Sequence, residues 1–223
     1  MRLGRMNAPR WLLVSLLAYA AIALSYTAAF ALLPKAAADR VNSPPLLVTC
    51  NRPGCHTPPA GADAGSVAVT GIPGCYVGGQ VYDLTITVTD PAATRWGFEL
   101  GVQYNEGNIN DESSAGTLAI PAGQLAALVP SADGKRTFAS HDASTTPDGT
   151  YPGQANSATW TVKWTAPFAR QTQVCIYVAG VAANNNDART GDRTYTQKYC
   201  INPCGPVDTK HSTWGSVKSH YDK

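Results

Sequence analysis

The chain has 223 residues, of which 44% are hydrophobic, and a formal net charge of +2. That length suits one folded domain of ordinary size with extensions. The first 38 residues hold four of the 17 basic side chains and none of the 15 acidic ones, which leaves 13 basic side chains and a balance of −2 in the rest. A nucleic-acid-binding protein needs a clustered basic face, so this composition excludes nucleic acid as a partner.

The N-terminus carries a long apolar run. Residues 11–33 have no charged side chain, follow three arginines and precede the small residues 36–38. This pattern is typical of a signal peptide, and about 20 apolar residues also suffice for a membrane-spanning helix. We therefore expect residues 1–38 to be either a cleaved signal peptide or an N-terminal hydrophobic helix that anchors the protein. In both cases the rest of the chain is exported, to the periplasm or the cell surface.

Residues 39–63 are rich in proline and lack a periodic apolar pattern, which predicts a linker. This linker contains the sequence CNRPGCH. Attachment of a c-type haem requires two thiols that add to the vinyl groups and an imidazole directly after the second thiol. Cys50, Cys55 and His56 supply these groups, with four residues between the cysteines where two are usual. We predict one covalently attached haem (heme c), with His56 as the proximal iron ligand.

Two other interpretations of this motif stay open. In the first, Cys50 and Cys55 form a disulfide that closes a short loop, and His56 is a surface residue. In the second, the motif belongs to a zinc site, which needs a fourth ligand and a second Cys/His pair at metal-ligand spacing. The sequence lacks that second pair, which disfavours zinc.

Residues 64–204 predict a succession of short strands. Apolar and polar side chains alternate, as in half-buried strands, in three stretches: 82–89, 96–104 and 158–164. Two further strands, 173–180 and 193–201, form a predicted hairpin across a loop rich in asparagine. No segment after residue 39 has a convincing helical period. We therefore predict an all-β, antiparallel β-sandwich of immunoglobulin-like type, with inward-facing tryptophans in its core.

The second axial ligand of the predicted haem is sought by elimination. Both methionines precede the apolar run, so a His/Met pair is excluded in the exported part. His211 and His220 lie in a polar C-terminal tail, residues 205–223, whereas His141 lies within the body of the domain. A ligand on a rigid strand costs less ordering than one on a tail. We therefore predict bis-histidine ligation by His56 and His141; without His141 the iron has an open distal site.

The remaining four cysteines predict disulfides, because an oxidising compartment favours bonded thiols. Cys175 and Cys200 lie roughly opposite each other on the predicted hairpin, and Cys75 and Cys204 are then left as a second pair. Four cysteines permit three connectivities, and the sequence does not decide among them.

The stretch from Cys50 to about Thr196 resembles the bacterial Reeler-like family called choice-of-anchor V. The resemblance rests on the Cys/Cys/His motif and on segments that follow it in order: GSVAVTGIPGCYVGGQVYDLTITVTDP, RWGFEL, WTVKWTAP and VAGVAANNNDARTGDRTYT. It implies a Reeler-like sandwich, exported and tethered at the surface, with a monohaem cytochrome c-like motif. The family often carries a Tyr-x-x-His segment that matches Phe138 to His141, which implies a ligand role for His141.

These features together predict an electron carrier. An iron with both axial positions filled binds no substrate. A methionine ligand raises the reduction potential of a haem, so without one we expect a low reduction potential. We expect an exported c-type cytochrome that is not an enzyme, whose partners are electron-donor and electron-acceptor proteins, within a larger cytochrome or membrane complex. Two alternatives stay open: a non-catalytic adhesion or scaffolding module with a Cys50–Cys55 disulfide, and a haem enzyme with an open distal site.

Overall fold

The computed structural model of the chain describes residues 35–51, 55–57, 64–105, 113–142, 155–186 and 188–205. The regular structure in these residues is entirely β. The strands are β1 (Ser66–Thr70), β2 (Val81–Asp90), β3 (Arg95–Tyr104), β4 (Thr117–Ala119), β5 (Ala126–Pro130), β6 (Thr137–His141), β7 (Asn156–Thr165), β8 (Val174–Ala183) and β9 (Arg193–Ile201).

The strands form two antiparallel sheets that pack face to face. One sheet has the order β1-β2-β7-β4 and the other has the order β5-β6-β3-β8-β9. The longest pairings join β2 to β7 and β3 to β8, each over ten residue pairs. The predicted antiparallel β-sandwich is confirmed, and all five strands expected from alternation and the hairpin pattern are present.

Alternation along the long strands places the large apolar side chains between the sheets. Trp160 and Trp164 of β7 and Phe98 of β3 are fully buried there. The rings of Phe98 and Trp160 lie 4.7 Å apart, and Tyr82 stacks on Trp164 at 5.5 Å. Aromatic pairs at such distances add to the free energy that apolar burial supplies. These residues form the main core.

Two disulfides close the sandwich. Cys175 and Cys200 lie directly opposite each other on β8 and β9 and are bonded. Cys75 is bonded to Cys204, across a sequence separation of 129 residues. The pairing that the hairpin pattern favoured is therefore confirmed, and both bonds agree with a domain that folds in an oxidising compartment.

An N-terminal strap, which we define as residues 35–51, covers the outer face of the five-stranded sheet. This face turns away from the main core, and Val41 and Cys50 of the strap pack there on the outward side chains of β6 and β8. Both faces of β3 and β8 are consequently buried. The part of the predicted linker that the strap contains, residues 39–51, is thus packed against the domain.

Several sequence predictions concern residues that are not described. The predicted signal peptide or helical anchor falls there up to residue 34, and so does the predicted C-terminal tail after residue 205. Within the part of the chain that the structure describes, no helix has the length and apolarity needed to cross a bilayer.

Candidate functional site

The strap is anchored to the sheet through a buried carboxylate. Glu99 of β3 points to the outer face and is 1% exposed. Its two oxygens accept hydrogen bonds from the backbone N–H groups of Asp39, at 2.9 Å, and Arg40, at 3.0 Å. Further along the strap, Gln103 donates to the hydroxyl of Ser43 at 3.0 Å. These bonds determine where the strap lies on the sheet.

The strap brings the Cys/Cys/His motif to the outer face. Cys50 is 8% exposed and packs against Phe138, Cys175 and Tyr177. Burial raises the pKa of the Cys50 thiol to about 12, with smaller contributions from Glu99 and Cys55. Cys55 is only partly buried, and both thiols are free. The disulfide that one interpretation of the motif requires is therefore not formed between these two residues.

His56 is held by the loop that joins β8 to β9. The backbone of Thr57 donates to the carbonyl of Arg189 at 2.7 Å and accepts from the N–H of Gly191 at 3.0 Å. This pairing places Nδ1 of His56 2.7 Å from Oδ2 of Asp192. A carboxylate on Nδ1 orients the ring and leaves Nε2 as the nitrogen that can bind a metal.

His141 lies at the end of β6, over the start of β3. Its Nδ1 is 3.1 Å from the carbonyl oxygen and 3.2 Å from the nitrogen of Phe98. A Cβ atom at position 97 would lie 2.8 Å from Cε1 of the imidazole, so only glycine leaves room for the ring. The backbone thus engages Nδ1 of His141 as Asp192 engages Nδ1 of His56.

Both histidines lie at one end of the five-stranded sheet. At this end β6 and β8 finish and β3 and β9 begin. Burial lowers the pKa of His141, the hydrogen bond with Phe98 partly opposes this, and the nearby charge of His56 lowers it further. The structure therefore places His56 and His141, which are 85 positions apart in the sequence, at the same end of this sheet.

This set of donors fits a haem c. Iron in a porphyrin takes two axial nitrogens from the protein, and the vinyl groups take two thiols. Within the described residues no three His, Cys, Asp or Glu side chains are arranged to hold a metal ion by themselves. Two imidazoles with engaged Nδ1 atoms and two free thiols, Cys50 and Cys55, match the haem requirement more closely than that of zinc.

Sequence reasoning missed three residues of this site. Asp192 gave no signal, because its contact with His56 spans 136 residues. Gly97 was visible as a glycine inside a strand, which often marks a close approach of another group. Glu99 was visible as the one acidic residue of β3, between two apolar residues. The other predicted candidates, His211 and His220, lie outside the described residues.

Comparison with known proteins assigns no family. No protein-family model and no curated protein matches the chain. A solved structure of the human F-spondin Reeler domain matches with a TM-score of 0.41 and 22% identity, covering 66% of this chain and 95% of that one. A type II cohesin module of the scaffoldin ScaA from Acetivibrio cellulolyticus matches with a TM-score of 0.35 and 8% identity, covering 68% and 98%. At these scores the fold class rests on the strands themselves.

Proposed function

We propose that this chain is an exported c-type cytochrome, a one-electron carrier whose Reeler-like sandwich holds one haem c. Cys50 and Cys55 would carry the thioether bonds, and His56 and His141 would be the axial ligands. The observation that carries the proposal is that His56 and His141 lie at the same end of the sheet, each with Nδ1 engaged, in a chain whose Cys50 and Cys55 thiols are free.

The chain itself holds and orients the ligands. When bound, the haem supplies a one-electron couple at its iron. The Asp192 carboxylate keeps Nδ1 of His56 occupied, and the backbone of Phe98 does the same for His141. If His56 and His141 both held the iron, no coordination position would be left for a substrate. Electron transfer is therefore the proposed role, and an enzyme activity is not.

The burial of Cys50 implies an order of events. A buried thiol with a pKa of about 12 is protonated and unreactive. A haem would therefore have to be attached to Cys50 before the strap docks on the sheet, because the docked residue is only 8% exposed. Docking then packs Cys50 against Phe138 and Tyr177 and leaves His56, whose side chain is 21% exposed, at the accessible edge. We propose that electron-donor and electron-acceptor proteins, in a larger cytochrome or membrane complex, approach this edge.

The covalent haem is tested on the exported protein after expression of the full chain with haem-maturation machinery. Haem staining after denaturing electrophoresis and intact-mass spectrometry should show one haem that survives denaturation. Cys50→Ser and Cys55→Ser should each leave the haem on a single thioether, and the double variant should lose it. A colourless protein whose mass fits a Cys50–Cys55 disulfide would contradict the proposal and favour the adhesion module.

The ligand pair is tested by absorption spectroscopy. Reduced wild-type protein should be low-spin and should not bind carbon monoxide. His141→Ala should give a high-spin ferrous form that binds it, because the distal position is then open. His211→Ala is the matched control, since this histidine of the predicted tail should leave the spectrum unchanged. The proposed ligation fails if the His141 variant stays low-spin.

A further inference from the structure

The strap places the backbone nitrogen of Asp39 within hydrogen-bond distance of the buried Glu99 carboxylate. Three alanines, residues 36–38, directly precede Asp39, and small residues at the third and first positions before a bond mark the cleavage site of export peptidases. In the structure the nitrogen of Asp39 lies 2.9 Å from Oε1 of Glu99. The first atom of a chain that started at Asp39 would therefore be the atom that faces this carboxylate.

Glu99 lacks a cationic partner of its own in the uncleaved chain. Its oxygens contact two backbone N–H groups, and within the described residues no basic side chain lies at ion-pair distance from it. A carboxylate buried in this way is costly unless it is paired with a positive charge. Accordingly, burial raises the pKa of Glu99 to about 8. The hydrogen bonds from the backbone of Arg40 and Asp39 and the more distant charge of Arg40 oppose this change, whereas the charge of Asp39 adds to it.

Residue 39 is itself rigidly held. Oδ1 of Asp39 lies 2.7 Å from Nη1 of Arg136, and both side chains are nearly buried. Its φ angle is +68°, in the left-handed region that is unfavourable for a residue with a side chain. That angle is defined by the carbonyl of Ala38, so removal of residue 38 abolishes the strain and leaves the Arg136 contact in place.

We propose that the Ala38–Asp39 bond is hydrolysed on export and that the new α-ammonium group of Asp39 forms a buried ion pair with Glu99. An export peptidase breaks the C–N bond, the oxygen of one water molecule joins the Ala38 carbonyl as a carboxylate, and protons pass to the nitrogen of Asp39. The leader, residues 1–38, leaves with the new carboxylate. The charge that Glu99 lacks thus comes from the processed main chain.

The proposal distinguishes the two fates of the N-terminal segment. The mature protein begins at Asp39 and does not retain the apolar run as an anchor. Its strap is clamped at the first residue by two ion pairs, Asp39 Oδ1 with Arg136 and the α-ammonium with Glu99. An ammonium donates stronger hydrogen bonds than an amide does, so cleavage strengthens the contact of residue 39 with Glu99. This inference does not depend on the haem.

The first test is the start of the mature chain. The full chain is expressed in a host that exports it, and the purified product is analysed by intact-mass spectrometry and N-terminal sequencing. The expected first residue is Asp39. An intact leader, or a start at any other residue, would overturn the proposal.

The second test is the reactivity of the α-amino group. Its ordinary pKa is about 8, and an ion pair that raises it by about one unit slows amine labelling at neutral pH about tenfold. We expect that slowing in the native mature protein, relative to the same chain in denaturant. Glu99→Gln should restore fast labelling, and the surface control Asp83→Asn should not. Equally fast labelling of native and denatured wild-type protein would overturn the ion pair.

An inserted residue provides a variant that keeps Glu99. One alanine between Ala38 and Asp39, with the mature start verified by mass, moves the ammonium one residue away from the carboxylate. We expect a thermal midpoint lower by roughly 5–15 °C, as for a broken buried pair. An unchanged midpoint would count against the proposal, even if Glu99→Gln itself fails to fold.

Discussion

The two faces of the five-stranded sheet are both buried, but by different kinds of interaction. The inner face is made of large apolar side chains such as Trp96, Phe98 and Leu100, which meet the tryptophans of the other sheet. The outer face of the same strands is also buried, yet it carries Glu99 and Gln103. The inner face is stabilised mainly by apolar burial, whereas the outer face depends on hydrogen bonds that the strap completes.

The inner face mainly determines the fold, whereas the outer face carries the candidate site. Apolar side chains tolerate exchange as long as volume is conserved, so the inner face defines the sandwich without specifying chemistry. A buried polar group costs free energy unless its partner is present. The outer face can therefore position a histidine or a carboxylate closely, but only while the strap is docked. The site lies on the face that depends on specific partners.

The largest effect is expected for the inner face. Trp160→Ala removes a fully buried ring that packs on Phe98 at 4.7 Å. We expect a loss of about 3–5 kcal/mol in the free energy of unfolding, from transfer and cavity formation together. Urea denaturation of the oxidised protein measures it. Phe168→Ala is the control, since that ring is 81% exposed. A loss for Trp160→Ala no larger than the control would refute the comparison.

Two glycines of β3 distinguish stability from ligand placement. A Cβ at position 97 would lie 2.8 Å from the His141 ring, and one at position 101 would lie 2.7 Å from the Phe138 ring. Each Gly→Ala variant should cost about 1–3 kcal/mol by overpacking. Only Gly97→Ala should also change the haem spectrum, because it displaces the imidazole. Identical spectra for both variants would show that His141 is not a ligand.

A smaller loss of stability is expected where the strap accepts a hydrogen bond from a buried side chain of the sheet. Ser43→Ala removes the acceptor of the buried Gln103 amide. An unsatisfied buried group costs about 1–3 kcal/mol, part of which relaxation recovers. Ser66→Ala, at an exposed position of β1, is the matched control. Should the two variants unfold at the same urea concentration, the strap would contribute nothing through this bond.

The smallest expected effect is a dependence of the free energy of unfolding on pH. In a chain that starts at Ala36, Glu99 has an amide N–H and not an ammonium as its partner, and its pKa is raised from 4.5 to about 8. Between these values the folded state binds more protons than the unfolded state. Stability is therefore complete below about pH 4.5 and falls as the pH rises to about 8. Urea unfolding across this window measures the slope, and Glu99→Gln should remove it. A slope of the opposite sign would mean that burial does not dominate at Glu99.

The sequence predicted the long strands well and the short ones poorly. Ten-residue strands such as β2 and β7 show alternation over several periods, which is a strong signal. The three-residue β4 and the five-residue β5 are too short to display a period, and they exist because longer neighbours offer open edges. The Cys175–Cys200 bond followed from the hairpin, since local pairing brings its two arms together.

The candidate site also has a part that the sequence predicts and a part that it does not. Cys50, Cys55 and His56 are recognisable because they are adjacent in the chain, and His141 was found by elimination. The contacts that orient them were not predictable, because His56 and Asp192 are 136 residues apart and His141 and Phe98 are 43 apart. Such contacts depend on which strand ends coincide, and the order of strands within the sheet is not encoded in any local pattern.

By itself the sequence determined the fold class and the demand for disulfides, because alternation and cysteine content are local or compositional properties. Only the tertiary structure decided that the strap lies on the outer face, that Glu99 accepts a hydrogen bond from the nitrogen of Asp39, and that His56 contacts Asp192. These contacts follow from strand order and register, which arise when two sheets bury their apolar faces together and bring distant segments to the same edge.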